Sequence, residues 1–108
     1  MTQTQSQEAE PTYVAMPLKL AVAVRALRNA FAMSQTDLAN FAECSRPTIN
    51  RIESVDRASP RTDTVERLLQ VFRDRGVEIQ IKDTEVLIRW TPAALQAAVQ
   101  GNQKQENA

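Results

Sequence analysis

The sequence predicts a mainly α-helical domain, four helices followed by a β-hairpin and a short C-terminal helix, and three features predict it. Apolar residues recur at three- and four-residue spacing in successive stretches up to about residue 75. Ser34 and Ser45 stand where two short amphipathic stretches begin, so a tight turn must separate two capped helices. Beyond Gly76 the apolar period falls to two, the period of strands.

Residues 1–16 are rich in Gln, Thr and Glu with no sustained periodicity, and the expectation for them is a disordered arm. Residues 17–75 form the helical domain. Leu20, Val24, Leu27 and Phe31 place one apolar stripe on a first helix over Pro17–Ala32, and Pro17 suits its first turn. Ser34 with Asp37 three residues on reads as a capping box opening a second helix that runs to Ala42, with Leu38, Ala39 and Ala42 inward. The small Ala39 lets the next helix approach closely.

Ser45 caps the third helix, which carries Arg46 and Pro47 in its first turn and ends near Ser54. Ile49 and Ile52 face the core, while Arg46, Asn50 and Arg51 share the other side. After a polar loop, Ser54–Arg61, the residues Val65, Leu68, Leu69 and Phe72 mark a fourth helix that Gly76 closes.

Residues 76–100 read as a hairpin and a short helix. Val77, Ile79 and Ile81 alternate with Glu78 and Gln80, Val86, Ile88 and Trp90 repeat the pattern, and Lys82–Glu85 is the turn. An isolated ribbon with one apolar face is marginal in water, so these six apolar residues are expected to pack on the helices and to pair with a second subunit in a homodimer. Thr91 and Pro92 begin a last helix that runs to about Val99, and residues 101–108 are expected to form a disordered polar tail.

Composition narrows the function. With 13 basic and 13 acidic residues the chain is no polycation, yet Lys19–Arg61 holds seven basic residues (Lys19, Arg25, Arg28, Arg46, Arg51, Arg57, Arg61) against four acidic ones, Asp37, Glu43, Glu53 and Asp56. Cys44 is the sole cysteine and histidine is absent, which excludes an internal disulfide, a His/Cys metal cage and imidazole base catalysis. No cofactor, metal or enzymatic activity is expected. Cys44 reads as a small turn hydrophobe and Trp90 as a packing residue. No basic leader precedes an apolar stretch and the longest apolar run, Leu20–Val24, is too short for a bilayer, so the expectation is a cytoplasmic protein without membrane contact.

The paired helices form a helix-turn-helix motif. Over Leu18–Phe72 its residues Arg28, Ser34-Gln35, Leu38-Ala39, Ser45, Ile49, Ile52-Glu53, Pro60, Val65 and Leu68 resemble the XRE, or lambda-repressor-like (Cro/CI-type), family of phage repressors, Cro proteins and many antitoxins. The strand after the fourth helix looks like the HipB-antitoxin branch, whose strand pairs across the dimer. The resemblance implies a homodimer that binds double-stranded DNA at an inverted repeat as an autoregulatory repressor. The alternative is an antitoxin that binds a toxin protein and represses its own operon.

In that setting Arg46 and Arg51 are suited to guanine O6 and N7, Asn50 to adenine and Pro47 to a thymine methyl. Ser34, Gln35, Ser45 and Thr48 near helix starts, with Arg57 and Arg61 in the following loop, are the expected phosphate contacts. Two positions depart from the family pattern. Glu43 stands where glycine is common in the turn, and a left-handed backbone costs about 1 kcal/mol for a residue with a Cβ, which points to an altered turn. Glycine is also usual soon after Glu53, where this chain has Ser54-Val55.

Overall fold

A computed structural model of the chain describes residues 15–55 and 60–107. Within them run α1 (Met16–Ala30), α2 (Gln35–Ala42), α3 (Arg46–Glu53), α4 (Thr62–Arg73), β1 (Val77–Ile81), β2 (Val86–Trp90) and α5 (Pro92–Asn107). The expected N-terminal arm lies outside the described residues up to residue 14, and Met16 already belongs to α1.

Local chemistry sets each boundary. The Ser34 hydroxyl accepts the Asp37 N–H at 2.9 Å and the Asp37 carboxylate accepts the Ser34 N–H at 3.0 Å, a reciprocal capping box. Ser45 accepts the Thr48 N–H, and Pro47 occupies the first turn of α3, where a missing N–H breaks no helical bond. α1 ends with Met33 N–H bonded to Arg28 O and Ala32 N–H to Asn29 O, a Schellman closure with Ala32 at φ 56°.

α1 and α2 pack on α3 and α4, and α4 leads into the hairpin. Leu20, Val24, Leu27, Leu38, Ile49, Leu68 and Phe72 are fully buried and form the centre of the core. β1 and β2 pair antiparallel with Val77 opposite Trp90 and Ile81 opposite Val86. Lys82 N–H bonds to Glu85 O and closes the turn where the alternation places it. The apolar face of the hairpin lies on the helices: Val77 and Ile79 are buried, and the Trp90 ring meets Phe31 at 5.4 Å between centroids.

The C-terminal helix departs from expectation. It continues past Val99 to Asn107, through most of the segment expected to be a disordered tail. Asn102 Nδ2 donates to Ala30 O at 3.0 Å, and at Gly101 the helix passes so close to α1 that a Cβ there would lie 2.7 Å from Phe31 O. Two residues of polar appearance thus tie α5 to the end of α1. At its other end Thr91 Oγ1 accepts the Ala94 N–H and donates to Gly76 O, and Gly76 itself sits at φ +97°.

Candidate nucleic-acid interface

An α-helix turns about 100° per residue, so along α3 the order around the axis is Arg46, Asn50, Pro47, Arg51, an arc of roughly 140°. All four are exposed. Ile49 and Ile52 occupy the far side, at 0% and 7% exposure, and Glu53, next to Arg46 around the axis, is buried with them. Burial of each isoleucine contributes about 1.5–3 kcal/mol and holds the short helix from behind. The outward face is left to polar and cationic groups.

The turn into α3 is not altered. Glu43 adopts φ 57°, ψ 48°, the left-handed conformation, and Cys44 N–H closes on Ala39 O at 2.9 Å. Val55, soon after Glu53, likewise lies at φ 57°. The backbone that glycine would favour is therefore retained at both positions by residues with side chains. Arg67 helps close the turn: its Nε donates to Ala42 O at 2.9 Å, at the end of α2.

Below the exposed face lies a hydrogen-bonded ion pair that charge counting does not reveal. Arg28 Nε and Nη2 meet Glu53 Oε2 and Oε1 at 2.6 and 2.9 Å, and Arg28 Nη1 donates to Met33 O at 2.9 Å. Glu53 is 5% exposed. Its hydrogen bond, against opposing desolvation and with added Coulombic attraction, raises the Arg28 pKa above the ordinary arginine range. Gln35 Nε2 reaches the same carboxylate, 3.1 Å from Glu53 Oε1, and stands 3.5 Å from Asn50 Oδ1.

The other site residues fall as follows. Ser34 and Ser45 act as caps, and the Thr48 hydroxyl is 2.8 Å from that of Ser45. Arg61 is exposed and pairs with Asp63 at 3.3 Å, while Arg57 lies outside the described residues. Lys19, counted in the basic surplus, is buried with Nζ on the carbonyls of Lys82 and Asp83 in the hairpin turn. The surplus is thus carried differently: Lys19 anchors the hairpin, Arg28 anchors α3, and Arg25, Arg46, Arg51 and Arg61 remain on the surface. Arg67 and Lys19 were missed as structural donors because their acceptors are backbone carbonyls distant in sequence. Only Asp63, four residues before Arg67, gave a local hint of a partner.

Cys44 is half-buried against the core, and burial, partly offset by the nearby Arg67, pushes its thiol pKa up. Among the described residues no cluster of His, Cys, Asp or Glu could hold a metal ion, and no helix is long and apolar enough to cross a membrane.

Two capped helices across a tight turn, the second anchored by isoleucines and exposing arginine and asparagine, define a helix-turn-helix DNA-binding domain. Residues 19–79, more than half of the chain, match the family described as Helix-turn-helix domain, and the chain belongs to that family. The match agrees with the XRE-like resemblance. Comparison with curated proteins and with solved structures returned no match. The domain marks the chain as a DNA-binding regulator, in a family that is typically non-enzymatic.

Proposed function

We propose that the protein is a sequence-specific transcriptional repressor that binds an inverted-repeat operator as a homodimer and controls its own promoter. The outward arc of α3 carries this reading: Arg46, Pro47, Asn50 and Arg51 are exposed together on a helix fixed from behind. Each arginine suits a guanine edge, a contact worth about 1–3 kcal/mol of discrimination. Phosphates are met by the start of α2 at Ser34 and Gln35, the start of α3 at Ser45 and Thr48, and the loop arginines Arg57 and Arg61. The first N–H groups of a helix have no acceptor within it, so backbone donors are available at both helix starts.

The dimer assignment is supported by the hairpin. Among the described residues its sheet has two strands, so each strand has an edge with no third strand beside it. Val77 and Ile79 are packed into their own core, Ile81, Ile88 and Trp90 are partly buried against it, and Val86 is half-buried. Association through these strands therefore uses backbone edges more than the apolar face. Half-sites are expected about 34 Å apart or at a multiple of that spacing.

Selection of bound sites from random duplex DNA tests the proposal. A two-fold symmetric motif whose base preference relaxes at defined positions in Arg46→Ala and Arg51→Ala supports it; wild-type preferences in both variants overturn the assignment. A dimer neutralising about six phosphates should show log affinity falling with log salt at a slope near −5. The rival reading, an antitoxin, draws on Leu95 and Val99, one turn apart on α5 and each 54% exposed, as a face for a toxin. Stoichiometric co-purification of a toxin from the native host favours it, and a clean homodimer favours the free-standing repressor.

A further inference from the structure

We propose that Arg67 is a positioning residue for the DNA-facing helix: from α4 it clamps the last carbonyl of α2 and so holds the left-handed turn at Glu43 from which α3 sets out. The proposal rests on α3 being the base-reading helix.

A helix that must turn sharply into a second helix has two usual supports at its end. Glycine takes the left-handed position without a Cβ, and a cation in the last turn meets carbonyls that lack helical partners. α2 has neither of its own. Glu43 stands at φ 57°, ψ 48°, and the last turn of α2 holds no basic residue. Backbone donors reach two of the final carbonyls, Glu43 N–H meeting Asn40 O at 3.3 Å and Cys44 N–H meeting Ala39 O at 2.9 Å. Ala42 is 1% exposed, so water has little access to its carbonyl, and Arg67 Nε donates to it at 2.9 Å.

α4 places Arg67 for this. It packs on α2, and Asp63, one turn before Arg67, accepts from its Nη1 at 3.4 Å. The guanidinium is thus tethered to α4 at one end and donates to α2 at the other, where the helix dipole favours a cation. A hydrogen bond from a charged donor is stronger than a neutral one, and it offsets the strain of a left-handed residue with a Cβ. Arg67, 25 residues from the carbonyl it holds, does for this turn what glycine does by conformational freedom. Its loss relaxes the turn, so that the eight-residue α3 tilts against α2 and carries the Arg46–Arg51 face with it.

Cys44 reports on the turn without DNA, because its N–H closes the turn and its half-buried thiol lies near Arg67. Removing the arginine charge alone raises the thiol pKa further and slows alkylation, since Arg67 acts to lower that pKa. Opening of the turn acts in the opposite direction. Arg67→Met should therefore be alkylated at neutral pH about tenfold faster than wild type, the population change for losing the weaker end of a charged hydrogen bond. Arg67→Lys, which keeps a cationic donor, should stay within about twofold of wild type. In the Arg67→Met background Glu43→Gly should recover about fivefold, and Glu43→Gln, which keeps the Cβ, should recover nothing. Alkylation of Arg67→Met no faster than wild type overturns the clamp, as does equal recovery by glycine and glutamine. Should Arg67→Met fail to fold, rescue by Glu43→Gly alone supports the clamp, and rescue by both or by neither overturns it.

Binding to a selected duplex reads the consequence for DNA. Arg67→Met should lose about three- to tenfold in affinity at all selected sites with the salt slope of wild type, and Glu43→Gly should restore it. A slope shallower by about one, with no restoration by glycine, overturns the proposal in favour of a phosphate contact by Arg67. If wild type selects no motif, base reading by α3 fails, while Cys44 alkylation still decides the clamp.

Discussion

Replacing Glu53 by glutamine should remove a large part of the stability of the domain. The carboxylate is 5% exposed and accepts from Arg28 at 2.6 and 2.9 Å and from Gln35 at 3.1 Å. The Arg28 side chain is 16% exposed, so its charge is poorly compensated by water once the carboxylate is neutral. Breaking one partner of a buried pair costs about 3–5 kcal/mol, and glutamine, which keeps the shape and one acceptor, belongs at about 3 kcal/mol. Domains of this kind have about 5–15 kcal/mol in total. With a urea slope of about 1–3 kcal/mol per molar, the unfolding midpoint should fall by about 1–3 M.

Urea unfolding followed by circular dichroism measures this, together with Arg28→Met and the double variant Arg28→Met/Glu53→Met. The double variant should be more stable than either single one, because no unpaired charge remains inside. A midpoint loss below about 0.3 M in both single variants would refute the reasoning, since the pair would then be worth no more than an exposed one. The sign with pH is also fixed. Hydrogen bonding to Glu53 raises the Arg28 pKa in the folded state, so its contribution is complete below the ordinary arginine range and is lost only as pH rises through the raised value in strong alkali. The deficit of Arg28→Met should therefore stay constant through the neutral range.

Glu43→Gly relieves a left-handed residue at φ 57° and should raise stability by up to about 1 kcal/mol, read as a higher urea midpoint with an unchanged slope. Gly101→Ala adds about 1 kcal/mol of helix propensity but sets a Cβ 2.7 Å from Phe31 O, so α5 should loosen from α1 and amide exchange should speed up around Asn102. Cys44, its thiol pKa raised by burial against a smaller opposing effect of Arg67, should be alkylated far more slowly in the native protein at neutral pH than in urea. For Asp63, desolvation acts to raise the pKa, but Arg61, the Thr64 N–H and Arg67 together hold it below the ordinary value. Its contribution is present above the normal aspartate range and lost as pH falls through the lowered value, so Asp63→Asn should flatten the acid limb of a stability-against-pH curve.

What was legible in the sequence is what local chemistry determines. The capping box of Ser34 and Asp37, Pro47 in the first turn of α3, the alternation from Val77 to Trp90 and the Lys82–Glu85 turn involve neighbours within a few residues, and each is where the pattern placed it. The outward arc of α3 was legible for the same reason. The contacts from Lys19 to Lys82, from Arg67 to Ala42 and from Gln35 to Glu53 join residues separated by 63, 25 and 18 positions, and no periodicity records them. Counting charges along the chain therefore overstated the cationic surface, since Lys19 and Arg28 turn inward. The polar composition after Val99 hid the continuation of α5, which depends on a close approach at Gly101 and one Asn102 hydrogen bond to α1.

The turn between α2 and α3 shows why a local rule gave way. A left-handed Glu43 costs about 1 kcal/mol, and that cost alone argued for a different turn. On either side of it, however, stand Leu38, Ala39 and Ala42 on α2 and Ile49 and Ile52 on α3, all buried in one core. Burial of Leu38 and the two isoleucines contributes about 1.5–3 kcal/mol each, several times the backbone strain, and the turn formed here is the one across which both helices bury those faces together. Packing on both flanks thus selects the left-handed residue whatever its side chain. The same comparison predicts the order of damage: Ile49→Ala, at about 2–5 kcal/mol, should cost far more than Glu43→Gly gains, and should release the Arg46–Arg51 face from its orientation before the turn itself changes.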